Sequence, residues 1–281
     1  MELLATPDAA RAHSRGHHLA GRTVALVPTM GARHAGHLAL VDEARRHADV
    51  VVVSIFGNPL QFDRRADLEA YPRPIDDDLA ACRAAGVDAV YAPTAVVMYP
   101  EGFETHVEPG PLADTMEGAH RPGHFRGVTT VVTKLLTAVR PDVAVFGRKD
   151  LQQLAIIRRM NADLDLGVRI VGLETVREPD GLALSSRNVR LSADDRAAAV
   201  CIWRGISAAR AAVAGGDTDP ERAAAVVVDT IVAEPRARLE YVDVVDADTL
   251  RPVASIDGNT VVVAAVWFGD VRLIDNAKLL V

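Results

Sequence analysis

Short apolar runs alternate with segments of mixed apolar and polar residues over roughly the first 175 residues of the chain. The runs that predict β-strands are Val24–Val27, Val50–Ile55, Ala89–Ala92, Val143–Phe146 and Arg169–Leu173. The segments that predict helices between them are Ala39–His47, Asp76–Ala85, Val128–Val139 and Leu151–Asp163. Continuously apolar strands that alternate with helices are typical of a parallel sheet covered on both faces. The pattern therefore predicts an α/β fold with a Rossmann-like, doubly wound parallel sheet.

The pattern changes after Leu191. An Ala-rich stretch predicts one long helix, Ser192–Ala214, and a second helix is predicted at Pro220–Ala233. Three apolar runs then predict strands that have no helix between them: Leu239–Val245, Thr260–Trp267 and Val271–Asp275. Helices followed by consecutive strands favour a smaller C-terminal α+β domain. We therefore predict two domains, residues 1–175 and residues 176–281.

Composition narrows the class of protein. The chain has 281 residues, of which 49% are hydrophobic and 25% are charged, as is typical of globular proteins. Its net charge of −7 disfavours nucleic acid as a partner, because phosphate contacts need a basic surface. The cysteines, Cys82 and Cys201, lack metal-ligand spacing and are expected to be packing residues, and the polar N-terminal residues 9–18 do not resemble a signal peptide. The longest apolar runs, 50–56 and 261–268, are too short to span a bilayer, so we expect no membrane partner. The two separate cysteines favour a reduced, cytoplasmic protein.

The segment His34-Ala-Gly-His37 is the most informative motif of the chain. It follows the predicted strand Val24–Val27 and the break Pro28–Gly31, and it precedes a predicted helix. The N-terminus of a helix favours anions through its backbone N–H groups and its dipole, and Gly36 lets an anion approach the backbone closely. The two imidazoles therefore favour a site for nucleotide phosphates, and a metal pair or a solvated turn are the alternatives.

Two further polar motifs also follow predicted strands. Gln61 ends the segment Asn58-Pro-Leu-Gln61, and its neutral amide suits hydroxyl or carboxylate groups, the alternative being a plain surface position. Lys149 lies in Gly147-Arg148-Lys149-Asp150, where its charge suits phosphate oxygens, the alternative being a charged helix cap. Gln153 would face the same way as Asp150, one turn earlier. Because the carboxyl ends of parallel strands meet at one edge of the sheet, we expect these motifs to form one site.

Three further segments carry weaker functional signals. The segment Ser185-Ser186-Arg187-Asn188 offers two hydroxyls and a guanidinium to a phosphate, and it also fits a plain linker. A position between the domains would let this loop close over a bound nucleotide. Residues 120–127 are rich in His and Arg and fit either a basic surface loop or a gate. The acidic run Asp76–Asp78 fits the start of a helix better than a metal site.

Together these motifs resemble the family of pantoate–β-alanine ligases, the pantothenate synthetases. The matching blocks have the order and spacing of the family pattern over nearly the whole chain, and they are Val27–His37, Ser54–Phe62, Tyr71–Arg73, Met98–Pro100, Arg121–Leu135, Phe146–Leu154, Thr175–Asn188 and Arg272–Asn276. A concordant set of blocks is far more specific than any one of them. The chain departs from the family pattern at four positions, where the family commonly has Val, Glu, Pro and Met: Gly57, Arg148, Glu174 and Leu184.

The resemblance implies an ATP-dependent ligase with a two-step reaction. The carboxylate of (R)-pantoate first attacks the α-phosphorus of ATP, which gives pantoyl adenylate and pyrophosphate. The amine of β-alanine then attacks the acyl carbon, which releases AMP and pantothenate. The catalytic residues that the resemblance implies are His34, His37, Lys149 and Arg187, with His37 as the proton donor. It also implies that Gln61 and Gln153 bind pantoate and that Gln61 contacts β-alanine.

The resemblance further implies the surroundings of ATP. The implied ATP-binding residues are Met30, Gly31, Ala32, Arg33, His34, Ala35, Gly36, His37, Gly147, Arg148, Lys149, Asp150, Val176, Leu184, Ser185, Ser186 and Arg187. Mg²⁺ would bridge the phosphates and be held by substrate and water rather than by dedicated protein ligands. Residues 1–175 would bind ATP and pantoate, and residues 176–281 would form a lid. The family is commonly homodimeric, and the strand Val50–Ile55 with its flanking segments would contribute to the interface.

Two other functions fit parts of the sequence. One is a nucleotidyltransferase that moves AMP onto a phosphorylated acceptor, but the neutral pair Gln61 and Gln153 suits such an acceptor poorly. The other is a nucleotide-binding protein without catalysis, which the complete set of His34, His37, Lys149 and Arg187 disfavours. Pyrophosphate release would separate these alternatives from the ligase.

Overall fold

The computed structural model describes residues 1–31, 35–61 and 75–280. The chain divides into two compact units: the first comprises Met1–Gly147 and Ile156–Leu173, and the second comprises Arg148–Ala155 and Glu174–Val281. This division differs from the predicted domain ranges mainly at residues 148–155, which belong to the second unit. The physical reason is that the side chain of Asn276, in a strand of that unit, donates hydrogen bonds to the carbonyls of Arg148 and Lys149.

A parallel sheet of six strands forms the centre of the first unit, in the order β1-β4-β3-β2-β5-β6. The strands are β1 (Glu2–Leu4), β2 (Val24–Thr29), β3 (Val50–Ile55), β4 (Ala89–Tyr91), β5 (Val143–Gly147) and β6 (Arg169–Leu173). The two central strands pair along their whole length, from Val24 opposite Val50 to Thr29 opposite Ile55. The predicted α/β class with a parallel sheet is confirmed. Strand β1 was not predicted, because three residues are too few for a recognisable pattern.

Helices cover the sheet of the first unit. They are α1 (Pro7–Leu19), α2 (Ala35–Arg45), α3 (Ile75–Ala84), α4 (Ala95–Met98), α5 (Met116–His120), α6 (His124–Val139) and α7 (Leu151–Asp163), of which α7 begins in the second unit. Helix α1 was not predicted, because it is largely polar and buries few side chains, among them Ala10 and Ser14. Its start is nevertheless well specified, since Pro7 is its first residue and the Thr6 hydroxyl accepts a hydrogen bond from the Ala9 N–H (3.2 Å).

The core of the first unit lies between the central strands and helices α2 and α3. Val51 and Val53 of β3 are fully buried against Val41 and Ala44 of α2. Cys82 of α3 is buried in the same cluster as a free thiol, which agrees with its predicted packing role. This burial stabilises the unit by roughly 1.5–3 kcal/mol for each large apolar side chain, and it holds the carboxyl ends of the strands in place.

The second unit combines helices with an antiparallel sheet. Its elements are α8 (Ala193–Ala198), α9 (Cys201–Ala214), α10 (Pro220–Val232), β7 (Ala237–Asp246), β8 (Thr260–Phe268) and β9 (Val271–Lys278), with the strands in the order β7-β8-β9. The prediction of a single helix over Ser192–Ala214 was wrong. A turn at Ala199 and Val200 separates two helices, because the Ile202 N–H bonds to the Ala199 carbonyl in a tighter turn (3.3 Å) that buries both residues. Ser192 caps the first of these helices, since its hydroxyl accepts from the Asp195 N–H.

In the part of the chain that the structure describes, one helical stretch, Ala193–Ala214, is long and apolar enough to cross a bilayer by length and composition alone. Half of its most apolar window is buried inside the protein. Ile202, Ile206 and Ala209 pack in the core of the second unit with Phe268 of β8. Such packing is typical of a core helix.

Candidate active site

The chain turns sharply where β2 ends. The Thr29 hydroxyl donates to the Ser54 carbonyl (2.7 Å), which fixes the last residue of the strand against β3. Gly31 has a φ of +89°, and a Cβ at this position would lie 2.7 Å from the Oδ2 atom of the buried Asp78. Residue 31 must therefore be glycine for both the backbone angle and the close approach of α3.

The histidine motif lies at the start of α2. Ala35, Gly36 and His37 form the first turn of the helix, where the dipole favours an anion, and His37 is half-buried. Three of the predicted site residues, Ala32, Arg33 and His34, lie outside the described residues. The structure therefore supports the predicted placement of His37 at a helix N-terminus.

A short 3₁₀ turn, Pro59–Gln61, follows β3 and is called the Gln61 turn. Both ends of the Gln61 side-chain amide are held. Its Nε2 donates to the sulfur of Met30 (2.7 Å), and its Oε1 accepts from the Asn58 amide (3.0 Å). The structure thus brings together two residues, Met30 and Gln61, that the sequence assigned to different substrates.

Asn58 orients the Gln61 turn from beneath. It is 1% exposed, and besides Gln61 its amide donates to the Gly127 carbonyl (3.0 Å). Its Oδ1 accepts from the Tyr99 hydroxyl (2.7 Å) and from the Leu60 N–H (3.3 Å). Burial raises the pKa of the Tyr99 phenol above its ordinary value, so this group remains a neutral donor. The groups that hold the Gln61 side-chain amide are therefore uncharged.

Helix α6 packs directly on the Gln61 turn. A Cβ at Gly127 would lie 2.2 Å from the Leu60 carbonyl oxygen, so only glycine permits this contact. His124 Nδ1 donates to the Gln61 carbonyl (2.8 Å), and Arg121 Nη2 donates to the same oxygen (3.2 Å). Arg121 and His124 belong to the segment for which the sequence left a surface loop and a gate open. In the structure these two residues buttress the Gln61 turn.

A second 3₁₀ turn, Arg148–Asp150, follows β5 and is called the Lys149 turn. The Lys149 side chain is 17% exposed, and its Nζ lies 3.5 Å from Asp150 Oδ1. The Arg148 Nε lies 3.1 Å from Glu174 Oε1, although not at a hydrogen-bonding angle, so the contact is an ion pair. Two of the four departures from the family pattern therefore contact each other as an ion pair of opposite charges.

Strand β9 supports the Lys149 turn. The Asn276 side chain donates to the carbonyls of Arg148 (3.0 Å) and Lys149 (2.8 Å). The preceding residue, Asp275, is 3% exposed at its side chain and accepts two hydrogen bonds from Arg177, of 2.6 and 2.9 Å. Burial raises the pKa of Asp275 above the ordinary value of an aspartate, and the bonds from Arg177 oppose that shift.

A hairpin precedes the Ser185–Arg187 loop. The Leu184 N–H bonds to the Val176 carbonyl (2.9 Å), so these two predicted ATP-binding residues are neighbours. The Ser185 hydroxyl accepts from the Arg187 N–H (3.2 Å), which folds the loop back on itself. Ser186 and Arg187 are half-buried, as is Gln153 in the first turn of α7. A Cβ at Gly147, the last residue of β5, would meet no described atom within 4 Å, so this position leaves space beside the backbone.

Several supporting residues were missed in the sequence analysis: Asn58, Tyr99, Gly127, Arg177, Asp275 and Asn276. All of them lie inside the motif blocks that carry the family resemblance, so the signal was present. Strand-end position pointed to Asn58 but not to its supporting role, and neither it nor apolar periodicity singled out the other five. Among the described residues, no group of three His, Cys, Asp or Glu side chains is arranged to hold a metal ion. Asp76–Asp78 lies in the first turn of α3, where a helix start was predicted.

Comparison with known protein families gives one match over nearly the whole chain. Residues 2–278 match the family model described as Pantoate-beta-alanine ligase. A pantothenate synthetase of Syntrophotalea carbinolica is 50% identical over 261 residues, which cover 93% of this chain and 92% of that protein.

Solved structures of the same family also resemble this chain. The crystal structure of pantothenate synthetase from Thermus thermophilus superposes with a TM-score of 0.94 at 43% identity and covers 100% of both chains. A pantoate–β-alanine ligase from Francisella tularensis, whose structure is described as complexed with β-γ ATP and β-alanine, gives a TM-score of 0.81 at 31% identity, with 99% of this chain and 98% of that chain covered.

Proposed function

Because the chain belongs to the pantoate–β-alanine ligase family, we propose that its Gln61 turn binds pantoate and its Lys149 turn binds the phosphates of ATP. The protein is an ATP-dependent ligase that condenses (R)-pantoate with β-alanine to pantothenate through pantoyl adenylate. The observation that carries the division of roles is the support of each turn. The Gln61 amide is held by neutral groups, whereas Lys149 is a half-buried cation at a strand end.

The first step builds negative charge on the phosphate oxygens. Lys149 and Arg187 would stabilise this charge, since positioned cations in a dry site act more strongly than they would in water. Ser185 and Ser186 would donate hydrogen bonds to the same phosphates. His37 would serve as the proton donor from the first turn of α2, and His34 would act beside it.

Pantoate offers hydroxyl groups and a carboxylate. Gln61 and Gln153 would bind them, because a neutral amide both donates and accepts without adding charge beside the reacting carboxylate. Gln61 would also contact β-alanine in the second step. An acyl adenylate is already activated, so proximity and exclusion of water would dominate that step.

The remaining ATP contacts would come from the other residues that the family resemblance implies. They are Met30, Gly31, Ala32, Arg33, Ala35, Gly36, Gly147, Arg148, Asp150, Val176 and Leu184. The compensation of Arg148 by Glu174 supports this assignment, because the ion pair offsets an additional positive charge next to Lys149.

We expect Mg²⁺ to be required. Oxygen ligands from phosphate groups and water suit this ion, which usually keeps several waters in nucleotide sites. Asp150 is the carboxylate beside Lys149 and is 48% exposed at its side chain, so it fits an outer contact to such an ion. When bound, the ion would neutralise phosphate charge. Loss of pyrophosphate release with EDTA, and recovery with Mg²⁺, would test the requirement.

A cytoplasmic homodimer is the expected form. Two buried free thiols, Cys82 and Cys201, agree with a reducing compartment. The strand Val50–Ile55 is itself buried throughout its length in the sheet, so any dimer contact there must come from the flanking segments. Light scattering at micromolar concentration would give the mass of the species in solution.

The experiment that tests the function is a pyrophosphate-release assay with ATP and Mg²⁺. Release should need (R)-pantoate, and sustained turnover should need β-alanine as well. Release with a phosphorylated acceptor in place of pantoate would favour a nucleotidyltransferase. ATP binding without any release would favour a protein that only binds nucleotides.

A further inference from the structure

Two sequence blocks, Thr175–Asn188 and Arg272–Asn276, contain residues that the proposed chemistry does not use. Three of these, Arg177, Asp275 and Asn276, are bonded to one another and are called the clasp. Arg177 makes a two-pronged ion pair with the buried carboxylate of Asp275, and its Nη2 also donates to the Asn276 carbonyl (3.1 Å). The Asn276 N–H donates back to Asp275 Oδ1 (2.7 Å), so the three residues form one connected network.

One end of the clasp holds the Lys149 turn. The single side-chain NH₂ of Asn276 donates to two successive carbonyls, those of Arg148 and Lys149, at 3.0 and 2.8 Å. These carbonyls belong to the turn that carries the Lys149 ammonium. A change at Asn276 would therefore alter the backbone from which Lys149 projects.

The other end holds the hairpin before Ser185. The Arg177 guanidinium stacks on the Trp203 ring, with its carbon 3.6 Å from the ring centroid, and donates to the Gly181 carbonyl (3.0 Å). Arg177 also pairs with Ala183 across the hairpin. A Cβ at Gly181 would lie 1.9 Å from Trp203, so the hairpin sits directly on that ring.

We propose that the clasp positions Lys149 relative to the Ser185–Arg187 loop, so that both can bind the phosphates of ATP while pantoate attacks. Asn276 is the critical positioning residue of the clasp. A buried ion pair contributes little net stability compared with apolar residues of the same size, because desolvating the two charges is costly. The ion pair instead fixes an orientation, because the planar guanidinium of Arg sets the angle as well as the distance of its partners. This inference rests on the proposed roles of Lys149 and Arg187.

The test separates the two chemical steps. In Asn276→Ala, single-turnover release of pyrophosphate from ATP and pantoate should fall about tenfold, because two hydrogen bonds to the Lys149 turn are lost. Conversion of preformed pantoyl adenylate with β-alanine should stay within about twofold, because it does not involve the triphosphate. Asn276→Asp, which keeps the size of the side chain but removes its N–H donors, should slow the first step at least as much.

A matched control uses the same sheet. Arg272→Met breaks the Arg272–Glu240 ion pair, whose side chains are 13% and 15% exposed, comparable with Arg177 at 16%. We expect Arg272→Met to lower Tm about as much as Asn276→Ala does, while both chemical steps keep their rates. If Asn276→Ala slowed both steps equally, its role would be general stability, and if it slowed neither, the clasp would not position Lys149; either result overturns the inference.

The same assay with Lys149→Ala distinguishes failure of the proposed role of Lys149 from failure of the proposed role of the clasp. Normal pyrophosphate release by Lys149→Ala would refute the proposed role of Lys149, and with it the basis of the clasp. Inactivity of Lys149→Ala together with normal release by Asn276→Ala would refute the clasp alone.

Discussion

The Gln61 turn and the Lys149 turn have similar backbones, but the side chains that they present are supported differently. Each is a short 3₁₀ turn that follows a parallel strand, after residues 56–58 in the case of β3 and immediately in the case of β5. The Gln61 side-chain amide is bonded to the neutral Asn58, whereas Arg121 and His124 bond to the backbone carbonyl of the turn. The Lys149 turn is held by Asn276 and, behind it, the buried Arg177–Asp275 ion pair.

The difference between the supports follows from what each turn carries. A half-buried ammonium such as that of Lys149 needs compensating carboxylates nearby, and Asp150 and Asp275 are both close enough to interact with its charge. A neutral amide has no such requirement, and Arg121 bonds to the backbone carbonyl of Gln61. The electrostatics of the two side-chain supports therefore agree with the proposed division of the substrates between the turns.

The largest expected effect is that of Lys149→Ala. Removing this cation should lower the rate of adenylate formation by roughly a thousandfold while the protein stays folded, because transition-state charge on the phosphates loses its partner. The readouts are pyrophosphate release and the thermal unfolding curve. Lys278→Ala is the matched control, since that lysine lies in the same unit and bonds to the Gly258 carbonyl. Near-normal turnover of Lys149→Ala would refute the proposal that the Lys149 turn binds the phosphates of ATP.

The next effect is on the neutral support. Gly127→Ala would place a Cβ 2.2 Å from the Leu60 carbonyl oxygen and 2.7 Å from the Gln61 nitrogen, so helix α6 and the Gln61 turn must separate. We expect a loss of about 3 kcal/mol in urea unfolding, which is typical of overpacking, together with weaker pantoate binding. Gly16→Ala in α1, where a Cβ meets no described atom within 4 Å, should instead stabilise by about 0.5–1 kcal/mol. Equal stability of the two variants would contradict the packing argument.

A smaller effect is expected from the substrate amides themselves. Gln61→Ala and Gln153→Ala should each weaken pantoate binding about tenfold, because one or two hydrogen bonds to the substrate are lost. ATP affinity should be largely kept in both variants. Titration calorimetry measures both affinities, and unchanged pantoate affinity would refute the assignment.

The smallest expected effect is the pH dependence of an ion pair in the second unit, between Asp180 and Arg196. Hydrogen bonds from Arg196 hold the pKa of Asp180, at the tip of the hairpin before Ser185, below its ordinary value. Because the folded-state pKa is depressed, the ion pair stabilises the protein above the unfolded-state pKa of about 3.9 and is lost as the pH falls through the folded-state value.

Asp180→Asn should therefore lower Tm at neutral pH, and the difference from the unmodified protein should vanish in acid. The effect should not exceed about 0.5 kcal/mol, because the pair is exposed and screened. Arg196→Gln should give the same convergence. A Tm difference that stays constant down to pH 3 would contradict the stated origin.

The sequence predicted long, apolar elements better than short or polar ones, for a physical reason. Strand β3 and helix α7 have the bounds that were predicted, because their apolar patterns are long and their ends are marked by polar residues. Helix α1 is polar and was missed, and the break between α8 and α9 was missed because both sides of it are Ala-rich and buried. Local pattern does not distinguish one continuous helix from two that share a turn.

The same limit applies to the site. Gln61 and Lys149 could be singled out because the carboxyl ends of parallel strands meet at one edge of the sheet, where such sheets bind ligands. Their supports could not, since Tyr99 is 41 positions away from its partner Asn58, and Asn276 is 127 positions away from Lys149. Such contacts depend on tertiary folding, and the motif blocks indicated only that these residues matter, not what they touch.

The most direct test of the account is a crossed titration of two variants. ATP and (R)-pantoate are each titrated into Gln61→Ala and Lys149→Ala by calorimetry, with the unmodified protein as reference. The account predicts that Gln61→Ala loses affinity for pantoate and keeps it for ATP, and that Lys149→Ala does the reverse. Loss of both affinities in each variant, or of the opposite one, would contradict the assignment of one substrate to each turn.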